Sequence, residues 1–572
     1  MLSILLATVS TGSWGQVGPD GRPPIIDYQN RFLPVVAKQG MVAGPEKLAA
    51  EVGTRILKAG GNAVDAAVAT GFALAVTYPR AGNLGGGGFM LIHLAEENKQ
   101  TLIDYRETAP AAATRDMYLN ADGEVDRMKE YFSHQSAGIP GTVAGMIYAL
   151  EEYGTMSLKQ VLAPAIELAS SGFNVSFALN FEINARAARL KENPEALRLF
   201  FDKTGEPHAM GSRWKQPDLA WTLKQISRRG NAGFYEGAVA RRIVAEMERG
   251  DGLITLEDLA NYRVVERAPV AGTFHDFTVV STPPPSSGGV HIVQMLNILE
   301  GYDLESMGHN SAAYIHHLVE SMRRAYADRS AHLGDPDFES VPVSQLINKD
   351  YAAQQRQSIA PDQATPSGDV APMQILAGES TDTTHYTVVD KAGNVVANTY
   401  TLNFSFGSHI AVPGTGFLLN NEMADFAASP GKPNAYGLIE GETNAIAAGK
   451  RPLSSMSPTM VFKDGKPWLA TGSPGGSVII TTVLQTLLNA MVFDMNIAAA
   501  AAGARVHHQW LPDKMRIEQG ISPDTVRLLE GMGHTVEVGQ RTLGRTQSIM
   551  LDNGYLFGAT DTRRPGGWVA GY

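Results

Sequence analysis

The chain has 572 residues, 47 basic against 58 acidic side chains for a formal net charge of −11, and no cysteine. That length exceeds one small domain and calls for two cores or one large layered core. An acidic balance with no basic run argues against a nucleic-acid partner, and the missing cysteine excludes disulfides, thiolate metal sites and a thiol nucleophile while leaving the compartment open.

Met1–Val9 is apolar and resembles the centre of a secretory signal, yet no charge precedes Asp20. Residues 1–25 therefore read as a truncated leader, which implies a periplasmic or secreted protein; a disordered tail is the alternative. No segment is long enough to span a bilayer, and the best apolar run, Ala66–Val76, reads as a buried helix. Between about 40 and 77 the pattern predicts a helical pair. Pro45-Glu46 opens the first helix, Ala50, Val52, Ile56 and Leu57 form its apolar stripe, Gly60-Gly61 stops it, and Asn62-Ala63-Val64-Asp65 starts the second. Gly82–Met90 then runs into strands at Phe89–Leu94 and Thr101–Tyr105, several helices follow between about 140 and 250, and Pro283–Gly289 precedes another.

From about Asp362 to Asp382 the sequence is polar and loop-like, and after Thr383 it turns to strand. His385–Val389 and Val395–Leu402 flank the hairpin signal Lys391-Ala392-Gly393-Asn394; Met460–Phe462 and Trp468–Thr471 flank Lys463-Asp464-Gly465-Lys466. These mostly apolar runs suit strands buried on both faces, and Pro474-Gly475-Gly476-Ser477 opens a helix over Val478–Met491. Strands inside and helices outside imply a layered α/β sandwich with no separate linker-joined domains.

The chemistry centres on Thr383. If the Asp382–Thr383 bond were cut, this residue would carry a hydroxyl nucleophile and a free α-amine together, and the amine can serve as the base. Its ordinary pKa of about 7.7–8.0 suits that duty. Gly475 and Gly476, at a strand end leading into a helix N-terminus, offer unscreened N–H groups for an oxyanion; the plain alternative is a strand-to-helix turn. Ser454 and Ser455 have hydroxyls able to bind a carboxylate, or form an ordinary serine-rich turn. Glu422 and Asp425, three residues apart, can hold an ammonium, or lie on a solvated loop. The run Gly85–Gly88 leads into a strand and matches no nucleotide-binding pattern, so close backbone packing explains it better. His316-His317 with Glu320, and His507-His508, lack a third ligand at a convincing spacing, and no Gly-x-Ser-x-Gly elbow marks the serines. No cofactor or metal is called for.

Together these segments resemble the gamma-glutamyltransferase (gamma-glutamyl transpeptidase, glutathione hydrolase) family from about Gly40 to Tyr572. The carriers are Gly60–Ala67, Gly82–Phe89, Thr383–Tyr386, Thr399–Asn403, Arg451–Pro458 and Gly472–Gly476. The resemblance implies an N-terminal-nucleophile hydrolase fold, an αββα four-layer sandwich, made as a proenzyme. Self-cleavage would give a large chain, residues 26–382, and a small chain, residues 383–572, held as a heterodimer. It also implies roles. Thr383 is the nucleophile, Thr401 bonds its hydroxyl or amine, and the N–H groups of Gly475 and Gly476 form the oxyanion hole. Arg106 pairs with the substrate α-carboxylate, helped by Ser454 and Ser455, while Asn403, Glu422 and Asp425 hold the α-ammonium. Tyr436, in Pro430–Gly437, walls the glutamyl group beneath a lid loop. The expected reaction cleaves γ-glutamyl amides such as glutathione and passes the acyl group to water, amino acids or dipeptides. Related glutaryl acylases act on substrates without the α-ammonium, which would leave Glu422 and Asp425 without a partner. Other rivals are a binding protein that has lost the chemistry and a serine hydrolase using Ser286 or Ser454. The segment Asp561–Gly567 departs from the family pattern and is expected to lie far from the chemistry.

Overall fold

The structure, a computed structural model, describes residues 32–370, 383–430 and 441–572. The leader-like segment, Asp382 and Tyr436 with most of its loop lie outside the described residues.

Fourteen strands make two seven-stranded sheets. In chain order they are β1 (Val35–Ala37), β2 (Met41–Gly44), β3 (Gly87–Leu94), β4 (Lys99–Asp104), β5 (Val265–Arg267), β6 (Val270–Phe274) and β7 (Phe277–Ser281). After Thr383 come β8 (Thr384–Val389), β9 (Val395–Thr401), β10 (Thr459–Lys463), β11 (Lys466–Thr471), β12 (Gln547–Asp552), β13 (Tyr555–Thr560) and β14 (Trp568–Gly571). The first sheet has the order β14-β2-β8-β9-β3-β4-β5 and the second β1-β13-β12-β11-β10-β7-β6.

Strand alternation then builds four layers. On β8, Tyr386 and Val388 point into a core shared with α1 (Lys47–Lys58), α2 (Ala63–Thr77) and α3 (Thr142–Tyr153). Val389 points the other way, into a core with Val461 and Ile549 of the second sheet, which continues to α4 (Gly288–Leu299), α5 (Ala312–His332) and α6 (Val478–Met491). The order is helix, sheet, sheet, helix, the αββα sandwich expected from the sequence. Every residue of β8 and β9 is buried, as strands covered on both faces must be. Period two survives only in chemistry. His385 and Thr387 face the second sheet, where Thr387 donates to the Gln547 carbonyl at 2.9 Å and His385 bonds Thr399 Oγ1 at 2.8 Å.

The helical pair forms where the sequence places it. Glu46 caps α1 by accepting from Leu48 and Ala49 N–H, and Asn62 with Asp65 makes a capping box on α2. The glycine run is a packing device. A Cβ on Gly86 would lie 1.9 Å from the Thr401 carbonyl, and one on Gly88 2.4 Å from that of Thr399. Only bare backbone lets β3 approach β9 this closely. Among the described residues no helix is long and apolar enough to cross a membrane.

Candidate active site

Thr383 is the residue before β8. The β8–β9 ladder pairs Thr384 with Tyr400, so continuing its register by one step sets Thr383 opposite Thr401. Both share the odd parity of His385 and Thr399, which points their side chains between the sheets. There they line one cleft of about 220 Å³ with Arg106, Asn403, Glu422, Asp425, Ser454, Ser455 and Gly476. Residues far apart in the sequence thus meet because β9 joins β3 and β4, and Arg106 follows β4. The cleft gathers every described side chain of the predicted site, with Gly475 beside it in the turn before α6.

Arg106 is fully buried and pairs with both predicted ammonium-binding acids. Its Nη1 donates to Glu422 and its Nη2 to Asp425 Oδ2 at 2.5 Å, while Nε and Nη2 also donate to the carbonyls of Pro452 (3.2 Å) and Leu453 (3.3 Å). The solvated-loop reading of Glu422–Asp425 therefore fails: this single tight turn lies inside the molecule. A third acid, Glu107, sits with Oε2 3.7 Å from Arg106 Nη1. Sequence reasoning passed over it because nothing in its spacing distinguishes it from an ordinary neighbour of Arg106.

Three buried carboxyls around one guanidinium leave an excess of negative charge. Burial pushes Glu107 up to about 7 and raises Glu422 and Asp425 above the usual carboxylate range, with Arg106 opposing the rise in each case. Several acceptors in the cleft wall receive no N–H or hydroxyl hydrogen bond: Glu422 Oε2, Asp425 Oδ1 and Asn403 Oδ1. Ser455 Oγ is also unpartnered, whereas Ser454 Oγ accepts from Met456 N–H at 3.1 Å. Asn403 holds a left-handed backbone (φ 71°), fixed by its N–H donating to Thr401 Oγ1 at 2.8 Å and its side-chain amide donating to the Asn421 carbonyl at 3.0 Å.

Gly475 and Gly476 have φ of 142° and 59°, and among the described residues neither N–H donates to a partner. They head the first turn of α6, where the helix dipole adds partial positive charge. The serine-hydrolase arrangement is absent from the described cleft. Ser286 Oγ donates to the Ser454 and Met456 carbonyls at 3.0 and 2.8 Å, and no histidine lines the cleft. His385, the nearest in sequence, is tied to Thr399 and Thr387, and burial holds it down to about 3.

One expectation needs correction. His316 and Glu320 do meet a third potential ligand, His534, brought from far along the chain. Their lone pairs are engaged, however: His316 Nδ1 and His534 Nε2 hydrogen-bond each other at 2.8 Å, and Glu320 is ion-paired with Arg323 and Arg324. Asp561–Gly567, expected to be remote, lines no part of the cleft, and Arg545 stands between it and the turn before α6. Gln547 N–H donates to the Gly472 carbonyl, Arg545 N–H donates to Ser473 Oγ, and a Cβ on Gly567 would lie 2.8 Å from Arg545 Nη2.

Comparison with known proteins agrees with this geometry. The profile of the Gamma-glutamyltranspeptidase family matches residues 49–571. The glutathione hydrolase proenzyme of Escherichia coli (strain K12) is 50% identical over 573 aligned residues, covering 100% of this chain and 98% of that protein. The crystal structure of Helicobacter pylori gamma-glutamyltranspeptidase superposes with a TM-score of 0.57 at 43% identity, over 61% of this chain and 97% of that one. That of a cephalosporin acylase from Bacillus halodurans superposes with a TM-score of 0.84 at 28% identity, over 96% and 99%.

Proposed function

The chain belongs to the gamma-glutamyltranspeptidase family, and from that premise we propose how its cleft performs the family's reaction. The protein is a self-processing enzyme that cleaves γ-glutamyl amides such as glutathione and transfers the γ-glutamyl group to water, amino acids or peptides. In our reading the Asp382–Thr383 bond is cut first, and residues 26–382 and 383–572 stay together as a heterodimer. The apolar Met1–Val9 supports a periplasmic or secreted location.

The free α-amine of Thr383 takes the proton from its own Oγ, which attacks the γ-carbonyl carbon. Negative charge moves to the carbonyl oxygen and meets the N–H groups of Gly475 and Gly476. The tetrahedral species collapses, the amine leaves with the proton, and a γ-glutamyl ester remains on Thr383. Water or an incoming amine then attacks that ester by the same steps in reverse. Thr401, opposite Thr383, orients the hydroxyl and the amine. Among the described residues no imidazole competes for the role of base in the cleft.

Substrate recognition is an exchange of partners. Arg106 pairs with Glu422 and Asp425. A γ-glutamyl head group carries one carboxylate and one ammonium. Its carboxylate replaces an acid at Arg106, with Ser455 Oγ as a further donor, and its ammonium pairs with the acid released. The zwitterion brings no net charge of its own into the buried site, and each of its ions meets a partner of opposite sign.

The observation that carries this reading is the set of unpartnered oxygens on Glu422, Asp425 and Asn403, beside a buried arginine and within one cleft with Thr383. An ammonium has three N–H donors for them. The acylase alternative, raised by the cephalosporin acylase likeness, supplies no such donor and would leave those acceptors empty.

The nucleophile is tested with Thr383→Ala. We expect one uncut band on a denaturing gel and no γ-glutamyl hydrolysis, while the unchanged protein gives two bands and turns over. An active, cleaved variant would remove Thr383 from the mechanism.

A further inference from the structure

A buried cation stands on the other flank of the oxyanion turn, and the reaction above does not use it. Arg545 is only 5% exposed, and its Nε and Nη2 are buried without a hydrogen-bond partner. The surroundings do not neutralise it. Arg80 and Arg564 are near and add like charge, and the nearby acid, Asp561, is already bonded to Arg505 at 2.9 Å and Arg563 at 2.7 Å. A desolvated guanidinium with unmade bonds is costly unless a ligand completes it.

Its position fits one. The Arg545 backbone N–H is fixed to Ser473 Oγ at 2.8 Å, and the Cα of Gly544 lies 3.5 Å from where a Gly475 Cβ would be. The side chain extends toward Gly566 and Gly567, which lead into β14. In the first sheet β14 and β2 lie on one side of β8, and β9, β3 and β4 on the other. Arg106 follows β4, so the γ-glutamyl pocket and Arg545 flank Thr383 on opposite sides. An amide bond held at Thr383 with its glutamyl half toward Arg106 sends its other half toward Arg545.

We propose that Arg545 is a specificity residue for that other half: it binds the carboxylate of the peptide that leaves, and of the amino acid or peptide that accepts. Nη1 and Nη2 form an end-on fork matched to a carboxylate. This deepens the reading of the same cleft and rests on it.

The test compares substrates that differ in this one charge. Arg545→Gln and Arg545→Lys are assayed with glutathione, whose leaving dipeptide carries a carboxylate, and with a γ-glutamyl anilide, whose leaving group carries none. Glycylglycine and its amide serve as paired acceptors. We expect Arg545→Gln to raise KM for glutathione about tenfold, the scale of one lost charge-assisted bond, with kcat nearly unchanged. KM for the anilide should move less than about twofold, the preference for glycylglycine over its amide should shrink, and Arg545→Lys should recover part of the loss. Two bands on a denaturing gel confirm that each variant has folded and processed. Equal losses with both donors would overturn the proposal and make Arg545 a prop for the oxyanion turn; an unchanged ratio would overturn it as well. Failure of the parent reading is visible separately, as an unchanged enzyme that cleaves neither γ-glutamyl donor.

Discussion

Glu107 shows what one residue adds to a site otherwise readable from motifs. Its carboxyl is fully buried, and burial pushes its pKa up to about 7 against the pull of Arg106 and a hydrogen bond with Glu422. A carboxyl raised in the fold favours its neutral form, so its contribution to stability is full below about pH 4.5 and is lost as pH rises through about 7. A bound ammonium reverses the preference by stabilising the ionised acids, and binding then expels a proton. We therefore expect KM for a γ-glutamyl substrate to fall as pH rises from about 5 to 7, by up to about tenfold per pH unit for one proton released. Glu107→Gln should flatten that slope in a KM–pH profile, while the separate limb set by the Thr383 amine in kcat remains. A slope unchanged in Glu107→Gln would assign the proton to Glu422 or Asp425. Glu422 and Asp425 were legible because two acids three residues apart suit an ammonium, and Arg106 only through the family resemblance. Glu107 was not, because its effect depends on how many acids share one arginine, which sequence spacing does not reveal.

At the scale of an element, the turn from β11 into α6 carries the proposed oxyanion donors. Its boundaries were legible: Pro474-Gly475-Gly476-Ser477 ends a strand and starts a helix, and α6 spans Val478–Met491 as expected. What the sequence hid was the direction of the two N–H groups, set by φ values of 142° and 59°. The first lies where side chains are strongly disfavoured, and a Cβ there would sit 2.5 Å from Val478 Cγ2. Backbone donors cannot be deleted by truncation, but adding a methyl can turn them. Gly475→Ala should lower kcat on the order of 10²–10³-fold, the cost of one lost oxyanion donor, and should slow self-cleavage, seen as residual uncut chain on a denaturing gel. KM should change less, because the zwitterion is held elsewhere. A variant with full kcat would show that this N–H does not meet the developing charge. The strands were harder to delimit. β3 starts at Gly87, two residues before the apolar run, because glycines that look like a loop are here what close strand approach requires.

Across the whole molecule, the proposed cut does not divide the fold into two domains. Strands β1 to β7 precede Thr383 and β8 to β14 follow it, yet both sheets mix the two sets. In the first sheet β2 lies between β14 and β8, with Met41–Ala43 paired to Thr387–Val389 on one side and to Val569–Gly571 on the other. In the second, β1 closes one edge on β13 and β7 pairs with β10. Both hydrophobic cores also draw side chains from each fragment. Breaking one peptide bond leaves all these ladders intact, and pulling the fragments apart would expose sheet edges and core faces together. This interleaving was not legible in the sequence, since strand order depends on contacts hundreds of residues apart. It predicts that the processed fragments elute as one species in gel filtration without denaturant, in equal molar amounts. They should separate only under conditions that also abolish activity, and residues 383–572 expressed alone should not fold. Independent elution of the two fragments under native conditions would mean that the strand pairings across the cut do not hold the mature enzyme together.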